Sequence, residues 1–580
     1  MKKLIYFIIV IFAIGLFSGC EDFLDTQNFT GKNSETFPKT EVDANQMLTG
    51  VYAVMNEIMS RDPNTSYFLN AELASDDRFG GGGANDKHWQ ATNHLLSINP
   101  DQFSGFWRRH YMGVARANGA IAALETSMKE GDVKNQKIGE AKVLRAYFYF
   151  ELVQLLGDVP LMKKAPETVA DAMESPAQVS QKEIFQQIGT DLWDAYSTMP
   201  ANAWNTEKSG TVTKWAAAGM LARVWLFYTG FYEETSLPTD DGQVTAEQVA
   251  AALKDCIDNS GHSLVPDFRS LWPYTNEVSK VNYQFAKDAP VWVKDGSNPE
   301  QVFVVKHMGF NNWVANLHTT NQFALYFAIR NDGDKNRYKN IFPMGQGWGA
   351  GPVSSRMWSQ WVSDEPMDPR RVASIYDVTS EGAGGYKYGS DSQMEETGLW
   401  QKKIVATTAY GKDGDPNVLF NSFFSSDKYE GYTGDHFQVG HAADIALIRF
   451  ADILLMHSEV TGTIESMNKV RARVSLPPVA AYSLAAIQRE RRYELAFEGL
   501  RWGDIRRWHI AEQVLPSMYG VKIWTEGRDG PMKEQNSNIA DRYRATKGFF
   551  MIPQSEIDLS GGALKQNAGW ENATFTSFVE

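Results

Sequence analysis

Two stretches of the sequence set aromatic rings among hydrogen-bonding side chains in polar, glycine-rich surroundings. Residues 75–94 place Trp89 near Arg78 and Asn93, and residues 271–313 contain "LWPYTN", "PVWVK" and "GFNNWVAN". Flat apolar ring faces match the C–H faces of sugars, while amide and guanidinium groups bond hydroxyl edges. The sequence therefore predicts an oligosaccharide site built from Arg78, Trp89, Asn93, Trp272, Tyr274, Trp292 and Trp313.

Other tryptophans are typical of a helical core, because aromatic residues make up 12% of the chain and 17 of them are tryptophan. Trp215 and Trp225 lie inside apolar periodic runs, which favours burial. Packing is also the interpretation for Trp348, Trp502, Trp508 and Trp570. Each ring in a sugar site contributes on the order of 1 kcal/mol, so several rings give micromolar to millimolar affinity. Such affinity suits a protein that has to release its cargo.

Charged residues at 490–506 and Arg145 look like a catalytic array, but the spacing favours ion pairs that hold the fold. Glu490, Glu494 and Glu498 form an i, i+4 ladder, in which like charges repel unless arginines interleave. Asp504 and Arg501 are able to close such a network. The whole array consists of Glu490, Arg491, Glu494, Glu498, Arg501, Asp504 and Arg506. The pattern predicts that Glu494→Ala lowers stability without selectively weakening ligand binding.

Catalytic and metal signatures are weak in this sequence. It contains no GxSxG elbow, no P-loop GK[ST] and no HExxH, and neither His88/His94 nor His436/His441 has a third ligand nearby. The glycine run 80–83 follows no strand with dinucleotide spacing and predicts a flexible loop. Residues 332–336 and 413–417 open like calcium loops but lack the glycine and glutamate that follow, so turns are the favoured interpretation and no cofactor is expected.

The N-terminus reads as a lipoprotein signal peptide. Lys2 and Lys3 precede 14 uncharged residues at 4–17, and Ser18-Gly19 stand before Cys20. Such a run is too short for a transmembrane helix and is typical of a secretory signal. Its small-small-Cys ending resembles a lipobox, with phenylalanine at 17 where leucine is usual, and predicts lipidation of Cys20. An ordinary cleaved signal is the alternative.

Composition excludes some classes of partner. The net charge of −14 argues against nucleic acid, because phosphate binding needs a basic face. Hydrophobic and charged contents of 43% and 22% are typical of a globular chain. The second cysteine, Cys256, has no partner once Cys20 is acylated, so no disulfide is expected.

Helical periodicity dominates the elements that must position these residues. Thr40 with Asp43 three positions later marks a helix start, and Gly157 and Pro160 end a helix over 140–156. The apolar spacing predicts further helices over 181–199, 213–229, 246–258, 448–460, 463–474 and 483–498. Consecutive helix pairs frame a loop-rich middle, roughly 262–445, with a strand-like run at 301–308. The fold class is therefore mostly α.

Several stretches, in order along the mature chain, resemble the SusD/RagB family of outer-membrane nutrient-binding lipoproteins. They are "CEDFLD" at 20–25, "EAKVLRAYFYFELVQLLGDVPLM" at 140–162, "TVTKWAAAGMLARVWLF" at 211–227, "GWGAGPVSSRMW" at 347–358, "DPRR" at 368–371, "IRFADILLMHSEV" at 448–460, "ERRYELAFEGLRWGDIRRW" at 490–508 and "MIPQSEIDLSGGALKQNAGW" at 551–570. The resemblance implies tetratricopeptide-like helix pairs in a right-handed superhelical scaffold with an irregular ligand face. It divides the chain into a signal peptide at 1–19, an N-terminal helical region at 20–235 and a C-terminal region at 236–580.

The same resemblance implies a role and partners. It implies a lipoprotein on the outer membrane, facing the cell exterior, that sits as a lid on a SusC-like TonB-dependent barrel transporter, captures oligosaccharide and catalyses nothing. It favours Trp89, Asn93, Tyr274 and Trp313 in the ligand site. Two other functions stay open from the residues: a peptide-binding or purely protein–protein lid of the same transporter, and a cell-surface hydrolase.

Overall fold

The computed structural model describes most of the chain downstream of the predicted signal. The described residues are 37–59, 65–166, 168, 176–206, 210–308, 319–330, 339–382, 384–410, 415, 419–420, 422–425, 438–534 and 538–571. Cys20, Trp313 and the segment 332–336 lie outside them, as does 413–417 apart from Asp415. No helix among the described residues has the length and apolar character that crossing a bilayer requires.

Helices make up most of the regular structure, which confirms the mostly-α prediction. In chain order, α1 to α18 are Glu41–Ile58, Tyr67–Leu73, Lys87–Asn93, Ser104–Ser127, Asp132–Leu156, Gln181–Thr198, Lys214–Phe231, Ala246–Asn259, Gln322–Tyr326, Ser355–Asp364, Arg370–Ser374, Phe450–Thr461, Glu465–Arg473, Leu484–Glu494, Arg501–Arg507, Ala511–Val514, Ile539–Thr546 and Gln554–Leu559.

Local sequence sets the ends of several helices. Thr40 and Asp43 form a reciprocal capping box at the start of α1. In this motif, the side chain of each residue accepts a hydrogen bond from the backbone N–H of the other. Gly157 ends α5 with φ 73°, a conformation that glycine adopts without strain. The predicted stripe of α5, which includes Leu144, Phe148 and Leu152, is completely buried. The predicted helix start after Thr40 and helix end at Gly157 are therefore confirmed. Helix α5 begins earlier than predicted, at Asp132, and α14 ends at Glu494, before the predicted 498.

The helices α4 to α8 pack in succession, each against the next, and α8 then packs against α12 of the C-terminal region. Helix α5 lies in the middle, contacting α1, α4, α6 and α7, and is buried on nearly every side from residue 139 onward. One hydrophobic core runs through this layer and takes residues from Ala44 to Trp570. The N-terminal helices and the C-terminal return therefore share one interior.

The strands are short and pair in twos within the described chain. They are β1 Leu237–Thr239, β2 Gly242–Val244, β3 Gln301–Val305, β4 Ile375–Asp377, β5 Leu399–Gln401, β6 Ala409–Tyr410, β7 Leu419–Phe420, β8 Ile445–Arg449, β9 Lys522–Thr525 and β10 Arg528–Pro531. All five pairs are antiparallel. The pair β3–β8 joins the strand-like run predicted at 301–308, of which 301–305 form a strand, to the segment that leads into α12. The pair β9–β10 is a hairpin.

The charged cluster is a buried ion network, as the sequence predicts. The Glu494 carboxylate accepts from Arg370 and Arg449, each at 3.1 Å, and from Arg473. The Arg145 guanidinium forms a bidentate ion pair with the Asp191 carboxylate, with N–O distances of 2.6 and 2.8 Å. The prediction fails for Arg506, which donates to the carbonyl of Gln154 and stacks on aromatic rings instead of meeting a carboxylate. The i, i+4 ladder is also shorter than predicted, because α14 ends at Glu494 and Glu498 joins the network from beyond the helix.

Candidate functional site

The glycine run is not a flexible loop, so that prediction is wrong. Gly82 donates to the carbonyl of Gly349 at 2.8 Å and accepts from the N–H of Met394 at 2.8 Å, while Gly80 accepts from Gly351 at 3.0 Å. All four residues from 80 to 83 are buried. Glycine is needed for this close approach, because a Cβ at Gly82 would lie 2.5 Å from the Trp89 ring. We call residues 80–83 the glycine loop.

Trp89 belongs to the main hydrophobic core, with 2% of its surface exposed. The expectation that a tryptophan in a polar, glycine-rich stretch lies outside the core is therefore wrong. Its ring packs 5.9 Å from that of Tyr326 and 5.1 Å from that of His88. The polar residues near Trp89 in the sequence make contacts with other parts of the chain, and the local sequence does not reveal these contacts.

The side chains of Arg78 and Asn93 connect segments in the interior of the protein. The Arg78 guanidinium pairs with Glu72 at 2.5 Å, donates to the carbonyl of Gly351 at 2.9 Å and stacks on Phe327. The Asn93 amide donates to two carbonyl oxygens at the end of α2 and just beyond it. Both side chains are fully buried, so in this conformation neither reaches the surface to meet a ligand.

The predicted aromatic arc is not assembled by the described residues. Trp272 and Tyr274 lie in a second core cluster and Trp292 in a third, separate from the cluster that holds Trp89. Trp272 packs against Lys403 and Arg449, and the hydroxyl of Tyr274 donates to the carbonyl of Ala373 at 2.9 Å. Trp313 lies outside the described residues. Ligand contact by these residues stays a prediction.

A different set of rings reaches the surface beside the glycine loop. His88 and Trp348 are partly exposed, and they flank buried Trp89 and Tyr326 in a continuous row; the Tyr326–Trp348 ring distance is 5.3 Å. We call these four residues the aromatic row. Trp348 was expected only to pack, yet its setting in "GWGAG" is as glycine-rich as that of Trp89. The signal used for Trp89 would have identified Trp348.

Arg330 fixes the edge of the aromatic row. Its guanidinium donates to the carbonyl of Asp391 at 2.9 Å, to the carbonyl of Trp348 at 3.3 Å and to the Asp86 carboxylate at 3.4 Å. The Asp86 carboxylate also accepts from the N–H of Gly83 at 2.7 Å. Arg330 therefore ties the Trp348 segment to the glycine loop, which holds the exposed rings in a defined arrangement.

A groove of about 340 Å³ opens beside the glycine loop. Its walls are the start of α3, residues 394–395 and the hairpin β9–β10 with the residues that follow, and we call it the hairpin groove. Ligand pockets have volumes of roughly 300–1,000 Å³, so the groove is large enough for a small saccharide. The lining residues are Ala84, Lys87, Gln90, Met394, Glu395, Ile523, Thr525, Glu526, Arg528, Asp529, Gly530, Pro531, Met532 and Lys533.

Glu395 lies at the floor of the hairpin groove. Its carboxylate accepts the N–H of Gly81 at 3.0 Å, so the groove and the glycine loop share a contact. Burial raises the pKa of Glu395 to about 7, although the backbone N–H groups of Gly81 and Gly80 oppose the rise. The carboxyl is therefore partly protonated at neutral pH, when it can donate a hydrogen bond as well as accept one.

A buried pair of acids bears on the hydrolase alternative. Asp295 and Asp444 are adjacent, and burial together with Asp295 raises the pKa of Asp444 to about 8. Both carboxylates already have protein partners, namely Gln301 on Asp295, and Lys306 with the N–H of His307 on Asp444. The cavity beside them measures about 40 Å³, far below the roughly 300 Å³ at which ligand pockets begin. These acids have no room for a sugar ring.

No group of three or more His, Cys, Asp or Glu side chains in the described part of the chain is arranged to hold a metal ion. This finding does not extend to the two acidic turns at 332–336 and 413–417, of which only Asp415 is described. The partly exposed rings of His88 and Trp348 and the polar hairpin groove both border the glycine loop, and together they form the candidate binding face.

Comparison with known proteins identifies the fold. A family model described as "Starch-binding associating with outer membrane" matches residues 22–226, and the model of the SusD family matches residues 289–570. SusD-like protein P2 of Formosa agariphila is 24% identical over 93% of this chain and 99% of its own length. A SusD-like protein of Bacteroides ovatus is 25% identical over 74% of this chain and 70% of its own.

Solved structures resemble the chain over nearly its whole length. A laminarin-binding SusD-like protein has a TM-score of 0.65 and 24% identity, covering 92% of this chain and all of that one. Surface glycan-binding protein A from Bacteroides thetaiotaomicron, in complex with laminarihexaose, has a TM-score of 0.66 and 18% identity, covering 90% and 99%. At this identity the likeness concerns the fold. With both family models matched in order along it, the chain belongs to the SusD family.

Proposed function

We propose that this protein is a cell-surface lipoprotein that binds oligosaccharide and delivers it to a SusC-like TonB-dependent transporter in the outer membrane. Membership of the SusD family along almost the whole mature chain carries the proposal. The relatives named for laminarin or laminarihexaose binding support a saccharide as the ligand. The proposal assigns the protein no catalytic step, because the solved structures named above are of glycan-binding proteins and Asp295 and Asp444 adjoin a cavity too small for a sugar ring.

The binding face supports the same role. The aromatic row offers ring faces of Trp348 and His88, and the hairpin groove offers hydrogen-bonding groups; both border the glycine loop. A loop fixed by its own backbone contacts presents these groups in one arrangement, which lowers the entropic cost of binding. Weak binding by a small number of contacts is consistent with a protein that passes its ligand on.

Affinity electrophoresis of the mature protein on a panel of polysaccharides tests the proposal. Retardation on one or more polysaccharides is the expected result. A peptide-binding or purely protein–protein lid would migrate unchanged on every polysaccharide, which would refute saccharide capture. Release of reducing sugar from the retarding polysaccharide would instead indicate a hydrolase.

Trp348→Ala is expected to weaken binding of an oligosaccharide from the retarding polysaccharide about fivefold. The reason is the loss of one ring contact, about 1 kcal/mol, and calorimetric titration measures it. Trp193 is the matched control, because it is a half-buried tryptophan of α6 whose ring packs at a tilt against that of Tyr196 within the helical layer. Equal affinities for Trp348→Ala and wild type would remove Trp348 from the site.

Cys20→Ala is expected to abolish palmitate labelling and to move the protein from the outer-membrane pellet to the soluble fraction. Acyl chains supply about 0.8 kcal/mol per buried methylene, and we attribute the whole membrane attachment to them. Cys256→Ala is the control, because Cys256 is a buried thiol of α8 that no acyl chain can reach. Membrane attachment that persists in unlabelled Cys20→Ala would overturn the lipid anchor.

A further inference from the structure

The hairpin groove differs from the aromatic row in the chemistry of its walls. None of the described residues that line it is aromatic, so a sugar in the groove is held by hydrogen bonds and not by ring stacking. The two exposed acids are paired within the hairpin: Glu526 lies 3.3 Å from Arg528, and Asp529 lies 2.8 Å from Lys522. The buried carboxyl of Glu395 is therefore the acid of the groove that deserves a separate account.

Glu395 keeps unused capacity to accept hydrogen bonds. Its carboxylate accepts the N–H of Gly81 at 3.0 Å, and the groups that oppose the effect of burial on its pKa are the backbone N–H groups of Gly81 and Gly80, not a cation. An ionised carboxylate has about four acceptor positions, and two backbone N–H groups fill at most two of them. Because Glu395 lines the groove, the remaining positions are available to a ligand there.

The backbone at Glu395 has a conformation that is rare for a residue with a Cβ atom. Its φ is 49°, in the left-handed region, and such strain persists where neighbouring contacts enforce it and clusters at ligand sites. The enforcing contacts flank it on both sides: the N–H of Met394 donates to the carbonyl of Gly82 at 2.8 Å, and the backbones of Glu396 and Trp524 exchange hydrogen bonds at 2.7 Å. The carboxyl is therefore held in position before any ligand arrives, which lowers the entropic cost of binding.

We propose that Glu395 is a specificity-determining residue of the binding face, and that its carboxylate accepts hydrogen bonds from hydroxyl groups of a neutral sugar in the hairpin groove. This inference rests on the proposed function and adds a subsite and the class of sugar that it takes. Hydroxyl groups donate to a carboxylate in charge-assisted bonds, which are roughly twice as strong as neutral ones. An anionic sugar is disfavoured, because its charge would meet a like charge in a site with little water.

The proposal fixes the direction in which pH acts on affinity. A hydroxyl that donates to the ionised carboxylate favours the ionised form and lowers the pKa of Glu395 in the complex. A ligand removes little further water, because only 7% of Glu395 is exposed in the free protein, so the new hydrogen bonds decide the sign. Burial has already raised the pKa of the free protein's Glu395 to about 7. Affinity is therefore expected to be highest above pH 7 and to fall as the pH drops below it.

The charged and titratable groups around Glu395 come from three segments. They are Lys87 at the start of α3, Tyr519 before the hairpin, and Glu526, Arg528, Asp529 and Lys533 in the hairpin and just after it. Histidine is the side chain that ordinarily changes charge between pH 5 and 8, and none of the described residues lining the groove is a histidine. His88 belongs to the aromatic row and is retained in every variant used below.

Isothermal titration of the mature protein at pH 5.5, 7 and 8.5 tests the inference with laminarihexaose, cellohexaose and mannohexaose. We expect at least one of these neutral hexasaccharides to bind, about fivefold more tightly at pH 8.5 than at pH 5.5. Titrations at pH 7 in buffers of different ionisation enthalpy are expected to show release of protons on binding, because the complex favours the ionised carboxylate. Glu395→Gln keeps an oxygen that accepts from Gly81 but has no charge. It is expected to bind at all three pH values with the affinity that wild type has at pH 5.5, and to lose the proton release.

Glu556→Gln is the control, because Glu556 is a half-buried glutamate of α18 whose pKa burial also raises and which is not in the walls of the groove. It is expected to match wild type at each pH, and an equal loss of affinity in this control would overturn the inference. Proton release that Glu395→Gln retains, or wild-type affinity that falls as the pH rises, would overturn it as well. The wild-type measurements need no variant, so they decide the sign even if Glu395→Gln fails to fold.

The outcome also separates this inference from the proposed function. Retardation on a polysaccharide without binding of any neutral hexasaccharide would overturn the inference and leave saccharide capture standing. Failure to bind any saccharide on the whole panel would overturn the proposed function, and this inference with it.

Discussion

Replacing Glu494 with alanine is expected to lower the free energy of unfolding by about 3–5 kcal/mol, the usual cost of removing one partner of a buried ion network. Glu494 is completely buried and accepts from Arg370, Arg449 and Arg473. The substitution leaves three buried guanidinium groups short of a negative charge. Glu490, Glu498 and Glu300 satisfy the same arginines only in part, because each already has its own pairs.

Urea denaturation of Glu494→Ala and wild type measures this difference, with Glu125→Ala on the exposed side of α4 as control. Burial alone would raise the pKa of Glu494, but Arg473, Arg449 and Arg370 hold it well below its usual range. The contribution of Glu494 is therefore complete at pH 7 and is lost progressively as the pH falls below about 4. Equal denaturation midpoints at pH 7, or a selective loss of saccharide affinity in a fully folded Glu494→Ala, would contradict a purely structural role.

The helical layer was predictable because its signals lie close together in the chain. The capping box at Thr40, the left-handed Gly157 and the buried stripe of α5 are each decided by residues within a few turns. The ion network was predictable in kind for the same reason, since Glu490 and Glu494 are four residues apart on α14 and require interleaved arginines. The actual partners, Arg370 and Arg449, come from distant segments, and no local spacing identifies them.

The candidate site was harder to predict because burial there is decided at long range. Trp89 has polar neighbours in the chain, but its ring is covered by Tyr326 and by the glycine loop. The hairpin groove is formed by segments near residues 87, 395 and 528, which are hundreds of positions apart. The composition of a segment therefore indicates whether its side chains have the chemistry to bind a ligand. It does not indicate whether the rest of the chain buries those side chains.

Trp89→Ala is accordingly expected to lower the free energy of unfolding by about 3–5 kcal/mol, the range for buried aromatic residues replaced by alanine. Its ring has 2% exposure and fills the space between Tyr326, His88 and Gly82. Alanine would leave a cavity at the point where the glycine loop packs. Any loss of saccharide binding in this variant would then follow from a displaced loop and not from a lost ring face.

Urea denaturation followed by far-ultraviolet circular dichroism, with calorimetric titration on the folded fraction, separates these two effects. Trp89→Phe is the matched variant: the Trp89 indole N–H has no acceptor within the described chain, so phenylalanine loses ring volume but no hydrogen bond. It is expected to recover most of the stability that Trp89→Ala loses. A Trp89→Ala protein as stable as wild type but unable to bind saccharide would show that Trp89 turns outward to meet the ligand. In that case the burial seen here would describe only the unliganded arrangement of the aromatic row.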